Sequence, residues 1–101
     1  MSNLTETAGK EILRNEILEI CRETAPDGAG IPLLKACLHK AGIETDEREL
    51  ERQAAYLQDK GLAAVDEIKN VRLGIRRRIV RITAAGMDFL EGNREEAGIT
   101  G

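Results

Sequence analysis

The sequence predicts a small α+β domain: three helices, a β-hairpin and a short final helix. Two observations carry this prediction. Apolar residues recur at intervals of three and four in the first half of the chain, which is the period of a helix with one buried face. Further along, Leu62 to Ile68 and Arg76 to Ile82 are aliphatic-rich segments of strand length, and the second is predicted to pair back on the first. At 101 residues the chain suits one domain with a modest core.

Helices one and two are predicted from their apolar residues and their stop signals. Pro26 ends helix one near Thr24, because proline cannot continue the hydrogen-bond ladder. A very short strand is expected at Ile31, Pro32 suits the first turn of helix two, and Gly42 is its natural C-terminal stop. The apolar residues at helical spacing in helix one are Ile12, Leu13, Ile17, Ile20 and Cys21, and those in helix two are Leu34, Cys37, Leu38 and Ala41.

Helix three is predicted from about residue 45 to residue 60, with either Thr45 or Asp46 as its N-cap. At ~100° per residue, Arg48 and Arg52 lie roughly 160° and 200° from Leu50, so both point away from the core. Three apolar residues fall within about 60° of one another and mark the buried face. They are Leu50, Ala54 and Leu57.

The hairpin carries a concentrated positive charge. The segment Lys69 to Arg81 contains no acid and six bases, which are Lys69, Arg72, Arg76, Arg77, Arg78 and Arg81. The chain as a whole has a net charge of -3, of which this segment contributes +6, so the remaining residues carry -9. A solvated basic loop is one reading, but like charges at this density usually have a polyanionic partner.

The sequence lacks the patterns that mark enzymes, metal sites and membrane spans. Cys21 and Cys37 have no CxxC spacing and His39 is the single histidine, so we expect no zinc site and no disulfide. Neither a glycine-rich phosphate motif nor a constellation of acid, base and nucleophile is present, and we expect no catalytic residue and no cofactor. No apolar run approaches the ~18 residues of a membrane span, so a soluble cytoplasmic protein is expected.

The order of these elements, together with two junction sequences, resembles the winged helix-turn-helix superfamily of DNA-binding domains. One junction is Tyr56 to Leu62, which closes a helix and opens a strand, and the other is Ile82 to Leu90, which closes a strand and opens a helix. Both are similar to junctions in small bacterial and phage transcriptional regulators. The resemblance implies a three-helix bundle with a helix-turn-helix, a hairpin wing and a short C-terminal helix. It places the domain at residues 1 to 92 and leaves residues 93 to 101 as a polar tail, expected to be frayed.

The resemblance also implies sequence-specific binding of duplex DNA, with helix three in the major groove and the wing on the backbone or in the minor groove. On helix three, Arg48 and Arg52 would face the groove, with Gln53 and Tyr56 at its margins. The wing residues expected to contact DNA are Lys69, Arg72, Arg76, Arg77 and Arg78.

Acidic residues on helix three leave an alternative open. Glu47, Glu49, Glu51 and Asp59 would face or flank a polyanion, and Arg48 and Arg52 could instead form ion pairs within the helix. The alternative function is a winged-helix module that binds proteins through the same surfaces and does not bind DNA.

A homodimer is expected through helix one and the C-terminal helix, because two-fold pairing doubles the length of DNA that is read. The candidate apolar contacts are Leu4, Phe89 and Ile99.

Overall fold

A computed structural model describes residues 4 to 92 of the chain. The α+β class and the predicted order of elements are confirmed for these residues, whereas the predicted polar tail lies outside them. The helices and strands are α1 Leu4–Glu23, β1 Ala29–Gly30, α2 Ile31–Lys40, α3 Glu47–Asp59, β2 Ala63–Asn70, β3 Ile75–Ile82 and α4 Ala84–Leu90. The short strand was predicted at Ile31 but ends one residue earlier, at Gly30. Ile31 and Pro32 already belong to the first turn of α2.

The three strands form one antiparallel sheet in the order β1, β3, β2. Strands β2 and β3 pair from Ala63 opposite Ile82 to Asn70 opposite Ile75, and together they form the hairpin. Alternation along β3 places Val80 on the face that contains Arg76 and Arg78, and puts Arg77 and Arg81 on the opposite face. We call the first the inner face, because it lies toward α3, and the second the outer face.

The core is aliphatic and lies between the helices and the inner face of the sheet. Most of the residues predicted at helical spacing are buried there or pack against it, but in α2 Cys37 is only half-buried, and Ala41 is exposed because the helix ends at Lys40. Two residues of α1 differ from the predicted stripe: Leu18 is fully buried, whereas Ile12 is 55% exposed. The buried hydrophobic residues are Leu13, Ile17, Leu18, Cys21, Ala29, Ile31, Leu34, Leu38, Leu50, Ala54, Leu57, Leu62, Ala63, Val80 and Phe89.

The two junction sequences that suggested the fold contact each other. The hydroxyl of Thr83 donates to the carbonyl of Gly61 at 2.7 Å, and the Thr83 amide donates to the carbonyl of Leu62 at 3.1 Å. Thr83 also caps α4 by accepting from the Gly86 amide at 3.1 Å. A Cβ atom on Gly86 would overlap the Leu62 carbonyl, so glycine is required at this contact. The end of α3 and the start of α4 are therefore held together by the hairpin base.

Cys21 is a core residue, as its helical spacing predicted. Its thiol donates to the carbonyl of Val80 at 3.4 Å, and burial raises the pKa of the thiol to about 12. Cys37 is half-buried, and both cysteines are free thiols. Within residues 4 to 92, no group of three or more metal-binding side chains comes together. No helix in the described part of the chain is long and apolar enough to cross a membrane.

Candidate nucleic-acid interface

Helix α3 has one exposed face and one buried face, and it begins at an N-cap formed by Asp46. The Asp46 carboxylate accepts from the Glu49 amide at 2.8 Å, which satisfies one of the free amides of the first turn. Leu50 and Leu57 are fully buried on the opposite side. Arg48 and Arg52 are both exposed, in agreement with the predicted helix register.

The two exposed arginines differ in their partners. Arg52 donates to Glu49 Oε1 from Nη2 at 2.5 Å and from Nε at 3.2 Å. This hydrogen bond is the main cause of the lowered pKa of Glu49, and a second hydrogen bond, from Gln53, lowers that pKa further. Among the described residues Arg48 has no ion-pair partner, so its guanidinium is available to a ligand.

Gln53 is buried and does not lie at the margin of the exposed face, where it was predicted, whereas Tyr56 is half-buried. The Gln53 side chain is only 5% exposed and accepts from Arg14 Nε at 2.6 Å, while its amide donates to Glu49 at 2.5 Å. The Tyr56 ring is half-buried beneath the Arg14 guanidinium, whose central carbon lies 3.7 Å from the ring centroid. The prediction failed because this flank of α3 packs against α1, and position along one helix does not reveal which flank a neighbouring helix covers.

Arg14 is therefore a residue that the sequence analysis missed. It joins α1 to α3 through a hydrogen bond to Gln53 and a cation–π contact with Tyr56. Its position next to the buried Leu13, on the face of α1 that packs in the core, is the available signal. The Arg14 contacts fix the orientation of α3, and Glu49 extends them to Arg52.

The cations on the inner face of the hairpin are paired with carboxylates. Glu67 of β2 forms ion pairs with Arg76, with Arg78 Nε at 3.8 Å and with Lys69 Nζ at 3.8 Å. Arg78 Nη1 also donates to Glu51 of α3 at 2.9 Å. The pKa of Glu67 is lowered, chiefly by its hydrogen bond from Arg76. The basic segment considered in the sequence begins two residues after Glu67, and Glu51 is distant in the chain, so neither partner was anticipated.

The outer face and the turn contain both paired and unpaired cations. Arg81 pairs with Asp66 at 2.5 Å across the outer face. Arg72 and Arg77 are exposed, and in the range 4 to 92 neither has an ion-pair partner. With Arg48 they form a set of three arginines whose charges are not neutralised by a neighbouring carboxylate.

A groove of about 550 Å³ separates the start of α3 from β3. It is lined by apolar residues at the start of α2, by two acids of α3 and by three consecutive arginines of β3. The lining residues are Gly30, Ile31, Pro32, Leu33, Glu47, Glu51, Arg76, Arg77, Arg78 and Ile79. The ion pair between Arg78 and Glu51 joins the two sides, so the hairpin is held alongside the exposed face of α3.

The fold of the described residues is similar to that of a solved structure. A PadR-like transcription factor from Bacteroides fragilis superposes on the chain with a TM-score of 0.75, over 90% of this chain and 84% of that one. The chain has the winged-helix fold. Sequence identity to that structure is 19%, so the likeness concerns the fold. No family model matches the sequence of this winged helix, and no curated protein matches it.

Proposed function

We propose that this winged helix binds duplex DNA and acts as a small transcriptional regulator. The observation that carries the proposal is the contact between Arg78 and Glu51, which holds a cationic hairpin beside the exposed arginine face of α3. A duplex lying against the domain would meet both elements together. The fold shared with a transcription factor supports the same function.

Helix α3 is proposed to enter the major groove, which is ~12 Å wide and admits one helix. Arg48 is the proposed base-reading residue, because its exposed guanidinium can donate two hydrogen bonds to guanine. Arg52 can contribute once it exchanges Glu49 for a base or a phosphate. Gln53 and Tyr56 are assigned to the support of α3 instead, since their side chains contact Arg14.

The hairpin is proposed as the wing that contacts the sugar–phosphate backbone or the minor groove. Arg72 and Arg77 can bind phosphate without losing another partner. For Lys69, Arg76 and Arg78, DNA must replace the carboxylates of Glu67 and Glu51, so each contact gives a smaller net gain. Phosphate contacts of this kind position the protein on the duplex without reading the sequence.

The proposal is tested by fluorescence anisotropy of labelled duplexes, one random and one from genomic sequence upstream of genes, across a salt series. Salt-sensitive binding is expected, because lysine and arginine release counterions condensed on DNA. The alternative is a protein-interaction module, which the acids lining the groove, Glu47 and Glu51, would favour. It becomes the better account if no duplex binds with salt sensitivity.

Neutralising Glu67 is expected to strengthen DNA binding. Glu67→Gln frees Arg76 and Arg78 on the inner face, and we expect duplex affinity to rise about two- to fivefold. The matched control is Asp66→Asn. It removes one negative charge from the preceding residue, but it frees Arg81 on the outer face. The comparison is made by anisotropy at one salt concentration. Equal gains for the two variants would mean that net charge, and not the release of the inner arginines, sets the affinity.

We also propose a homodimer formed through α1 and α4, since a two-fold pair would read a longer site. Phe89 cannot serve as the contact that was predicted, because it is buried in the core of its own chain. The side chain of Leu4 and the whole of Ile99 lie outside the described positions. Ile12, which is exposed on α1, is the contact now proposed.

Light scattering at high micromolar concentration is expected to give twice the chain mass, and Ile12→Lys to reduce it. Leu33→Lys, which changes an exposed residue of α2, is the control and should leave the mass unchanged. A monomeric mass for the wild-type protein would rule out this dimer.

A further inference from the structure

The end of the hairpin farthest from the core exposes large aliphatic side chains. Val71 is 93% exposed, Leu73 is 70% exposed and Ile68 is 53% exposed. Asn70 pairs with Ile75, so residues 71 to 74 form the turn that closes the hairpin, and Gly74 has the positive φ of 66° that this turn requires. We call Ile68, Val71, Leu73 and Ile75 the wing tip. Exposed side chains of this size, grouped on one projection, indicate a contact surface.

The charges around the wing tip indicate which kind of partner it contacts. Arg72 lies between Val71 and Leu73 in the turn, and no acidic residue occurs from Ile68 to Arg81. Arg72 and Arg77 have no ion-pair partner in the described range of residues. An apolar surface with unneutralised cations beside it is complementary to a partner that presents both negative charge and apolar surface. The minor groove of duplex DNA offers both, with phosphates along its edges and the apolar faces of the bases accessible where a base step opens.

The hairpin is also long enough for its turn to enter the minor groove. The third strand, β1, stops pairing with β3 at Ile79, so the sheet continues from there to Ile75 as two strands only. At about 3.3 Å per residue this part extends roughly 13 Å beyond the three-stranded region, compared with a groove depth of about 7.5 Å. The turn residues can therefore meet the base edges while the three-stranded part of the sheet stays outside the groove.

We propose that the wing tip inserts Val71 and Leu73 into the minor groove as an apolar wedge that opens a base step and bends the duplex. This inference rests on the proposed function. Arg72 and Arg77 bind the phosphates on either side, and the aliphatic side chains contact the partly unstacked bases. Pyrimidine–purine steps such as TA unstack most easily, so the wedge selects flexible steps at a position where no base edge is hydrogen-bonded.

The test uses a duplex with 2-aminopurine at a central TA step and a pair of fluorophores at its ends. The wild-type protein is expected to raise 2-aminopurine fluorescence and to shorten the distance between the ends. Val71→Ser with Leu73→Ser should bind about tenfold more weakly and lose both signals. Its salt slope should stay the same, because no cation is removed. Ala25→Ser with Ala41→Ser changes two exposed apolar side chains away from the hairpin, α3 and the proposed dimer contact, and should keep both signals.

Four results would overturn the wedge. Binding by the wild-type protein without either signal, or full signals from the wing-tip variant, would remove the wedge and leave the proposed function intact. A lower mass for the wing-tip variant in light scattering, with DNA binding and both signals unchanged, would assign the tip to a second copy of the chain. Failure of the wild-type protein to bind any duplex would overturn both the wedge and the proposed function.

Discussion

Replacing Arg76, Arg77 and Arg78 together by alanine is expected to weaken binding to every duplex by on the order of 10²- to 10³-fold at about 0.1 M salt. Each phosphate contact contributes about 0.9 decades of affinity per decade of salt, so three full contacts set the upper end of this loss, and the carboxylate partners of Arg76 and Arg78 lower it. The loss should be similar for random and genomic duplexes, because phosphate contacts position the protein without specifying a sequence. Anisotropy titrations of the triple variant beside the wild type provide the measurement.

The single variants Arg77→Ala and Arg78→Ala are expected to weaken binding by different amounts. Arg77 has no ion-pair partner among the described residues, whereas Arg78 is paired with Glu51 and Glu67. Arg77→Ala should therefore weaken binding more than Arg78→Ala. Arg22→Ala is the control, since Arg22 lies on α1 and pairs with Glu19. If Arg22→Ala weakens binding as much as Arg77→Ala, the effect belongs to overall charge and not to the wing.

Truncating Leu57 to alanine is expected to lower the free energy of unfolding by about 2 to 5 kcal/mol, the range seen when a buried leucine leaves a cavity. Leu57 is fully buried near the end of α3, and its carbonyl accepts from the Leu62 amide at 2.9 Å, where the hairpin begins. A small domain is stable by only about 5 to 15 kcal/mol, so this loss is a large part of the total.

Thermal and urea melts of the Leu57 variant give the free energy directly. Arg52→Ala is the comparison on the same helix, and it should leave the midpoint almost unchanged because the side chain is exposed. A larger loss for Arg52→Ala than for Leu57→Ala would show that the register of α3 is wrong.

The fold was predictable because its signals are local. The spacing of Leu50, Ala54 and Leu57 fixes the buried face of α3, and the capping residues at positions 45 and 46 indicate where that helix begins. The exposure of Arg48 and Arg52 follows from the same helical period. Each of these predictions depends on residues within a few positions of one another, so no knowledge of tertiary packing was needed.

The candidate site was only partly predictable because its contacts join distant segments. Gln53 is satisfied by Arg14 of α1, and Arg78 by Glu51 of α3, in both cases across a long stretch of chain. Charge counting in one window identified the basic hairpin but not Glu67, which pairs with several of its cations. The exposed aliphatic wing tip was missed for a related reason: a strand-like run of apolar residues does not by itself show which end projects from the core.

The central claim, that this winged helix binds duplex DNA through α3 and a cationic wing, is tested most directly by the salt dependence of duplex affinity. A plot of log affinity against log salt is expected to have a slope of about -4 to -6 for the wild-type protein. The slope should be flatter by about 3 when Arg76, Arg77 and Arg78 are replaced by alanine. A slope near zero for the wild type, or the same slope for both proteins, would contradict the account.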